Sequence, residues 1–334
     1  MAALASTVSI IIVNYNGQRL LGELFESIAQ QTHPPAEVIM VDNASVDDSV
    51  EYVRENFSWV KIVTSDENTG FAGGNNLGLL HSSGDYIALL NSDTVVDKRW
   101  LAELLMALDQ DESIGAAVSK IHIAASKPTI DCAGAEFNNL GFAWGRGANE
   151  PDTGQFDKAM PVPALTACAA LIRRSALGNA PLFDSKLFMY YEEFDLALRL
   201  RGSGYNIFYV PRSIVYHKRS EAVKTVNRPF LFHQFYSHRN RIKILAKYYP
   251  LSVLVRNLPL ILLSLIYCDW VLLRKGGPVF FLRAVTAQIR YAAQGIGERL
   301  HGRSVDSRQW LPWMTTHGLR DILALKTKLG TYVQ

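Results

Sequence analysis

Two acidic segments stand where chemistry on a charged substrate would need them. LLNSDTVV puts Asn91, Ser92 and Asp93 directly after an apolar β-type run. An aspartate there can ligate a hard cation through oxygen while a diphosphate supplies further ligands, the usual way magnesium is shared between protein and substrate. The cation would then offset charge developing on the leaving diphosphate. An aspartate in that position is also a common turn former or helix cap. FMYYEEFDLALRLR places Glu192 and Glu193 at a helix start, with Asp195 and Arg199 spaced i, i+4 to pair on the surface of that helix. Adjacent glutamates ordinarily sit in water or favour the helix dipole. Here Phe188, Tyr190, Tyr191 and Phe194 crowd them. A partly desolvated glutamate has a raised pKa, which suits a general base that removes a proton from a hydroxyl.

Three further groups belong to the same chemistry. In VDNASVDDS, Asp47 or Asp48 can cap the next helix, whereas Asp42 and Asn43 lie too close to the preceding strand for that role. A carboxylate at such a strand end can accept hydrogen bonds from a base or ribose. NTGFAGGNNLG sets Gly70, Gly73 and Gly74 before a helix expected to start near Asn75. Glycines let backbone approach a ligand, and a helix N-terminus offers free N–H groups to phosphate or sugar oxygens. The segment lacks the Gly-Lys-Ser/Thr ending of a P-loop and the dinucleotide spacing, and a tight structural turn would use the same glycines. His217, just past a strand at residues 207–210, is a third ligand for the cation, a donor to the diphosphate, or a surface histidine.

The elements that must position these residues alternate between β-rich and helical patterns. Runs at residues 8–13, 38–41, 60–63 and 86–90 read as strands, and 20–30, 49–55, 75–81 and 99–109 as helices. This alternation predicts right-handed crossovers and a largely parallel sheet. Ligands in such sheets bind beyond the C-terminal strand ends. Residues 14–16, 42–45, 66–68 and 91–93, which follow the four strands, are nearly all polar. Residues 119–163 read as an insertion or lid. A strand at 165–172, a helix at 193–200 and the strand at 207–210, closed by Pro211, restore order.

The formal charge of +3 conceals a division: residues 1–200 hold 26 Asp and Glu against 13 Lys and Arg, whereas 201–334 hold 5 against 21. A basic tail suggests an anionic partner surface. With no nucleic-acid-binding signature, membrane is the preferred partner and nucleic acid is not expected. The tail's most apolar stretch, residues 258–273, contains Pro259 and Asp269 and is flanked by Arg256, Arg274 and Lys275. It is marginal for spanning a bilayer and suited to lying in its interface, although a buried helical hairpin would share the pattern. Cys132, Cys168 and Cys268 can build neither a disulfide framework nor a four-cysteine zinc site, which fits a reducing cytosol. The first residues lack the basic region and unbroken apolar run of a signal peptide, so the chain is expected to begin near Met1.

In this order, VSIIIVNYNG, VDNASVDDS, NTGFAGGNNLG, LLNSDTVV and FMYYEEFDLALRLR resemble the inverting family-2 glycosyltransferases of the GT-A fold, especially bacterial rhamnosyltransferase-like members, over residues 7–245. The resemblance implies an α/β fold with a Rossmann-like, mostly parallel sheet flanked by helices. The change of composition beyond about Pro229 sets a catalytic domain over residues 1–228 apart from a helical, basic and aromatic membrane-associating region over 229–334. Asn14, Tyr15, Asn16, Asp42, Asn43, Gly73, Asn75, Asn91 and Ser92 would hold a nucleoside diphosphate sugar. Asp93 would bind Mg2+ or Mn2+ with His217, and Glu193 would be the base. Asn91 stands where many members carry Asp, and Glu193 where Asp is frequent, so Glu192 remains a second candidate base.

The acceptor expected from this resemblance is a saccharide or polyprenyl-linked glycan in cell-surface polysaccharide synthesis. The enzyme would work at the cytoplasmic, inner face of a bacterial membrane as a peripheral protein. The competing reading, supported by the same two departures, is a nucleotide-sugar-binding protein without turnover. A nucleotidyltransferase is disfavoured because no Gly-rich activating loop with Lys or Arg lies near the first strand.

Overall fold

The computed structural model describes residues 6–124, 127–219, 229–302 and 305–316. The domain boundary expected at residue 228 and the end of the basic tail, 317–334, lie outside the described residues. The chain begins with β1 (Val8–Asn14), α1 (Gln18–Ala29), β2 (Glu37–Asp42), α2 (Ser49–Asn56), β3 (Val60–Thr64), α3 (Gly70–Leu80) and β4 (Tyr86–Leu90). Short β5 (Thr94–Val96), α4 (Trp100–Gln110) and β6 (Ile114–Ile123) come next. The strands β1 and β4 are apolar on both faces because helices cover both sides of the sheet, the pattern expected of buried parallel strands. On α1, Leu20, Leu21, Leu24, Phe25 and Ile28 recur at helical spacing and all are buried.

The remaining elements are β7 (Ile130–Cys132), β8 (Ala135–Phe137), β9 (Ala143–Gly145), β10 (Met160–Pro161), β11 (Ala169–Arg173), α5 (Arg174–Leu177), α6 (Glu192–Gly202) and β12 (Asn206–His217). The main sheet runs β10-β12-β6-β11-β4-β1-β2-β3, with β5 beside β12 and β7 beside β6. Strands β4, β1, β2 and β3 are mutually parallel, and β12 is parallel to β6. Between the two groups, β11 runs antiparallel to both β4 and β6.

Three local expectations are corrected. The insertion read over residues 119–163 begins inside β6, an almost wholly buried interior strand, and β7 to β10 follow. Small and polar residues such as Ser119 and Lys120 are paired inside it, which hid the strand from an apolar pattern. Pro211 does not close the last strand. The ladder with β6 shifts register between Val210 and Ile214, and a bulge leaves the proline out of the hydrogen bonding. Third, α3 starts at Gly70 rather than near Asn75, so Gly73 and Gly74 lie within it. A Cβ on Gly74 would come 2.7 Å from Val13 Cγ1, and one on Gly78 2.4 Å from Ile11 Cγ2. These two glycines let α3 settle on β1.

After the sheet come α7 (Pro229–Tyr248), α8 (Leu251–His301) and α9 (Ser307–Trp310). Leu245, Tyr248, Tyr249 and Trp310 join the same core as Phe137, Phe194 and Leu198, so these helices are packed onto the sheet domain. Gly277, at φ 80°, breaks α8 just before Pro278. Residues 19 apart on a straight helix would be nearly 30 Å apart, yet Gln288 donates to Asp269 at 2.8 Å. The second half of α8 therefore folds back along the first. At the far end, Glu298 meets Lys243 and Lys247, and Arg299 donates to the Tyr249 carbonyl.

Leu251, Val255, Leu258, Leu262, Ile266 and Trp270 are all exposed and form one stripe along α8. Arg256, Arg274, Lys275, Arg283 and Arg290 of the same helix are exposed, whereas its acidic residues, Asp269 and Glu298, are partly buried. By length and composition α8 is apolar enough to cross a membrane.

Candidate functional site

The sheet brings the first group together directly. Asn14 and Asp42 are register partners at the ends of β1 and β2, and Asn14 Nδ2 donates to Asp42 Oδ1 at 3.3 Å and to Ser45 Oγ at 3.2 Å. Asn16, at φ 53°, donates its backbone N–H to Ser45 and accepts from Val46 N–H. Tyr15 lies half-buried between them. Asn14 Oδ1 is buried without a partner, a free acceptor beside a carboxylate at the strand ends.

Asn43 and Asn75 serve their surroundings. Asn43 donates to Asn68 Oδ1 and the Gly70 carbonyl and accepts from Thr69 N–H and Oγ1, which fixes the loop before α3. Asn75 Nδ2 bonds back to the Phe71 carbonyl of its own helix. Gly73 presses against Thr69, where a Cβ would sit 2.5 Å away.

The second group forms where β5 meets the end of β12. Asp93 is 6% exposed with Ser92 beside it, and Asp93 Oδ1 lies 3.1 Å from His217 Nε2. His217 Nδ1 lies 2.6 Å from Asp131 Oδ2, and Arg219 holds the other oxygen of Asp131. Burial alone would push the His217 pKa down, but the Cys168 sulfur and the hydrogen bonds to Asp131 and Asp93 outweigh it and raise the pKa well above the usual histidine value. Asn91, two residues before Asp93, keeps a buried Oδ1 without a partner. Carboxylate, amide oxygen and imidazole suit a divalent cation. Among the described residues no three His, Cys, Asp or Glu side chains are placed to hold a metal ion by themselves.

The third group sits on an unusual turn. Phe188, Tyr190 and Tyr191 all have left-handed backbone, at φ 66°, 68° and 73°, each costing about 1–3 kcal/mol for a residue with a side chain. Tyr191 is the N-cap of α6 and supplies no capping side chain. Glu192 and Glu193 follow, each with a buried Oε2 that has no partner. Burial raises both pKa values; the two carboxyls share a hydrogen bond, and the charge of Glu193 pushes Glu192 further up. Asp195 and Arg199 do pair, at 2.9 Å, but not on a surface. Asp195 is 1% exposed and also accepts from Lys247 and Tyr248 of α7.

These groups are physically linked. The Phe188 carbonyl accepts from Ala72 N–H and would lie 2.3 Å from a Cβ on Gly70, so the turn before Glu192 docks on the same loop that Asn43 fixes. The Asn91 N–H donates to the Cys168 carbonyl. Burial pushes the Cys132 thiol up, and the charge of the adjacent Asp131 adds to the shift.

Asp131, Cys168, Arg219 and Asn240 escaped the sequence reading. Asp131 and His217 are 86 positions apart. Only the pairing of β7 and β12 with β6 joins them, and no local pattern signals it.

Comparison with known proteins gives the arrangement a context. A 243-residue alignment with the N-acetylglucosaminyl-diphospho-decaprenol L-rhamnosyltransferase of Mycobacterium tuberculosis is 25% identical and covers 66% of this chain and 78% of that protein. A low-salt glycan biosynthesis hexosyltransferase of Haloferax volcanii is 24% identical, over 88% of this chain and 90% of that protein. The matches to four other curated relatives span only 24–52% of the length of those proteins. Among solved structures, a mannosyltransferase from Pyrobaculum calidifontis in complex with GDP-Man and Mn2+ superposes with a TM-score of 0.54 at 16% identity, over 90% of this chain and 89% of that one. GalNAc-T7 with UDP, GalNAc and Mn2+ does so with a TM-score of 0.57 at 19% identity, over 74% of this chain and 48% of that one. The fold is thus of the GT-A type, and the sequence profile described as Glycosyl transferase family 2 matches residues 9–179. With strand-end polar residues, Asp93 and the α3 glycines all inside the matched half, the chain belongs to glycosyl transferase family 2.

Proposed function

We propose that this chain is a metal-dependent, inverting glycosyltransferase that moves a sugar from a nucleoside diphosphate sugar to a saccharide or polyprenyl-linked acceptor. The observation that carries the reading is the Glu192–Glu193 pair, Glu192 buried and Glu193 half-buried, both raised in pKa and each holding an unpartnered oxygen, on a turn docked against the nucleotide-end loops. A raised carboxyl pKa lies nearer neutrality, where a base works best.

In this mechanism Asn14, Tyr15, Asn16 and Asp42 receive the nucleoside, and Asn43, Gly73 and Asn75 shape the wall beside it. Asn91, Asp93 and His217 would hold Mg2+ or Mn2+, which when bound offsets charge on the leaving diphosphate. The Glu193 carboxylate takes the proton of the acceptor hydroxyl. The acceptor oxygen bonds to the anomeric carbon as the bond to the diphosphate oxygen breaks on the opposite face. One displacement inverts the configuration, so no glycosyl-enzyme forms and the leaving diphosphate keeps the bonding electrons. Glu192, whose pKa burial and the Glu193 charge push further up, holds its proton and hydrogen-bonds to Glu193, which stabilises the Glu193 carboxylate, while burial keeps the Glu193 pKa raised.

The domain division at residues 228/229 and attachment to the inner face of a bacterial membrane complete the proposal. The exposed stripe of α8 and the exposed basic residues of the same helix support an interfacial position.

The test is Glu193→Gln, assayed with a panel of UDP-, GDP- and dTDP-sugars with and without Mn2+. Donor-dependent thermal stabilisation should persist while transfer is lost. Equal transfer by both proteins removes Glu193 from the mechanism. Stabilisation without turnover by the unaltered chain would favour the binding-protein reading.

A further inference from the structure

The turn that presents Glu192 and Glu193 has internal hydrogen bonds at its start, Leu187 N–H to the Asp184 carbonyl and Met189 N–H to the Leu187 carbonyl, but draws the rest of its support from a distant segment. Three consecutive-region residues with bulky side chains occupy left-handed backbone, and the helix they introduce has no capping side chain. The missing support arrives from α7, fifty residues later. Asn240 is fully buried, and its Nδ2 lies 3.0 Å from the Leu187 carbonyl, 3.0 Å from that of Met189 and 2.7 Å from that of Tyr190. An amide nitrogen carries two hydrogens, so one is shared, and all three carbonyls point at a single atom. Arg239 adds bonds to the Lys186 and Leu187 carbonyls, and its Nε donates to Asn240 Oδ1 at 3.2 Å, which orients the amide. Lys243 pairs with Asp184 at the start of the turn, and Phe188 stacks on Tyr236.

We infer that Asn240 is the positioning residue for the candidate base: its amide gathers the 187–190 carbonyls and so sets where the Glu192 and Glu193 carboxyls lie relative to the acceptor hydroxyl. This deepens, and rests on, the transferase reading. The physical reason is geometric. Three inward carbonyls repel one another unless a donor joins them, and without it the chain relaxes toward right-handed backbone, turning the following helix start and its carboxyls away. No other element contributes a side chain that bonds to the Met189 or Tyr190 carbonyl among the described residues.

The test compares Asn240→Ala with Leu245→Ala, a core truncation on the same helix that lies away from the turn. Both variants should melt below the unaltered protein. Only Asn240→Ala should lower kcat by about 100-fold, the scale expected of a small misplacement of a reacting group, with the donor KM changed less than about threefold and the pH profile of kcat displaced. Glutamate carboxyl-carbon NMR of the full chain provides a readout independent of turnover: the signals that titrate above the ordinary range should move toward it in Asn240→Ala and stay in place in Leu245→Ala. If both variants lose the same activity with the same pH profile, or the NMR titrations coincide, the inference is overturned. If the unaltered chain turns over none of the UDP-, GDP- or dTDP-sugars, the transferase reading fails by itself, and the NMR comparison still decides the role of Asn240. Should Asn240→Ala not fold, Asn240→Ser retains one donor and should give an intermediate loss in kcat; unchanged kcat in that variant would also overturn the inference.

Discussion

His217 bridges two carboxylates, with Nε2 at 3.1 Å from Asp93 and Nδ1 at 2.6 Å from Asp131. The order matters because a histidine that ligates a metal through one nitrogen is oriented by the hydrogen bond at the other. In the proposed cation site, Asp131, itself held by Arg219 and with its pKa lowered despite burial by His217 and Arg219, would be the orienting group. Asp131→Asn should therefore weaken the Mn2+-dependent part of nucleotide binding by about tenfold and leave the metal-free part alone. Titrating Mn2+ against UDP, GDP and dTDP by calorimetry checks this; equal Mn2+ affinity in both proteins would exclude an orienting role.

The carboxyl pair gives a pH signature. Because the folded protein raises the pKa of Glu192 and Glu193, it retains protons that the unfolded chain releases near its ordinary 4.5. Stability from this source is complete below that value and declines as pH rises through the raised range. Glu192→Gln removes most of the decline. Its melting temperature should match the unaltered protein near pH 4 and exceed it by about 2–4 °C at pH 8, as read by calorimetric scans at both pH values.

Asp195 should show the opposite sign. Burial works to raise its pKa, but Arg199, then Lys247 and Tyr248, hold it down to about 2. The stability it provides is present above pH 4 and disappears as pH falls from about 4 toward 2, a contribution of about 2 kcal/mol. Asp195→Asn should cost about 3 kcal/mol at neutral pH, since Arg199 and Lys247 lose their buried partner, and should flatten the acid limb of the stability curve. Urea unfolding at several pH values measures both.

The exposed stripe on α8 makes a membrane prediction. Replacing Leu262, Ile266 and Trp270 together with serine should reduce binding to phosphatidylglycerol vesicles by about a thousandfold, since each large apolar side chain contributes about 1.5 kcal/mol when buried. Binding by the unaltered chain should also weaken with salt as Arg256, Arg274 and Lys275 are screened. Cosedimentation at low and high salt reports both effects; equal sedimentation of the two proteins would remove the stripe from the interface.

The sequence alone determined the strand-helix alternation and the polar strand ends, because a buried parallel strand needs an apolar run and its C-terminal end must turn into solvent or ligand. Asn14, Asp42 and Asp93 were legible for that reason. It also displayed the crowded glutamates and the basic, apolar tail, which are properties of composition. Only the tertiary structure decided what holds those residues. Gly74 and Gly78 are consumed by helix-strand packing, and Asn43 by a neighbouring loop. Asp131 reaches His217 only through strand pairing, and Asn240 supports a turn fifty residues away. Hydrogen bonds between distant segments leave no periodicity in the chain, since nothing about an asparagine's neighbours in sequence reveals which carbonyls will later surround it.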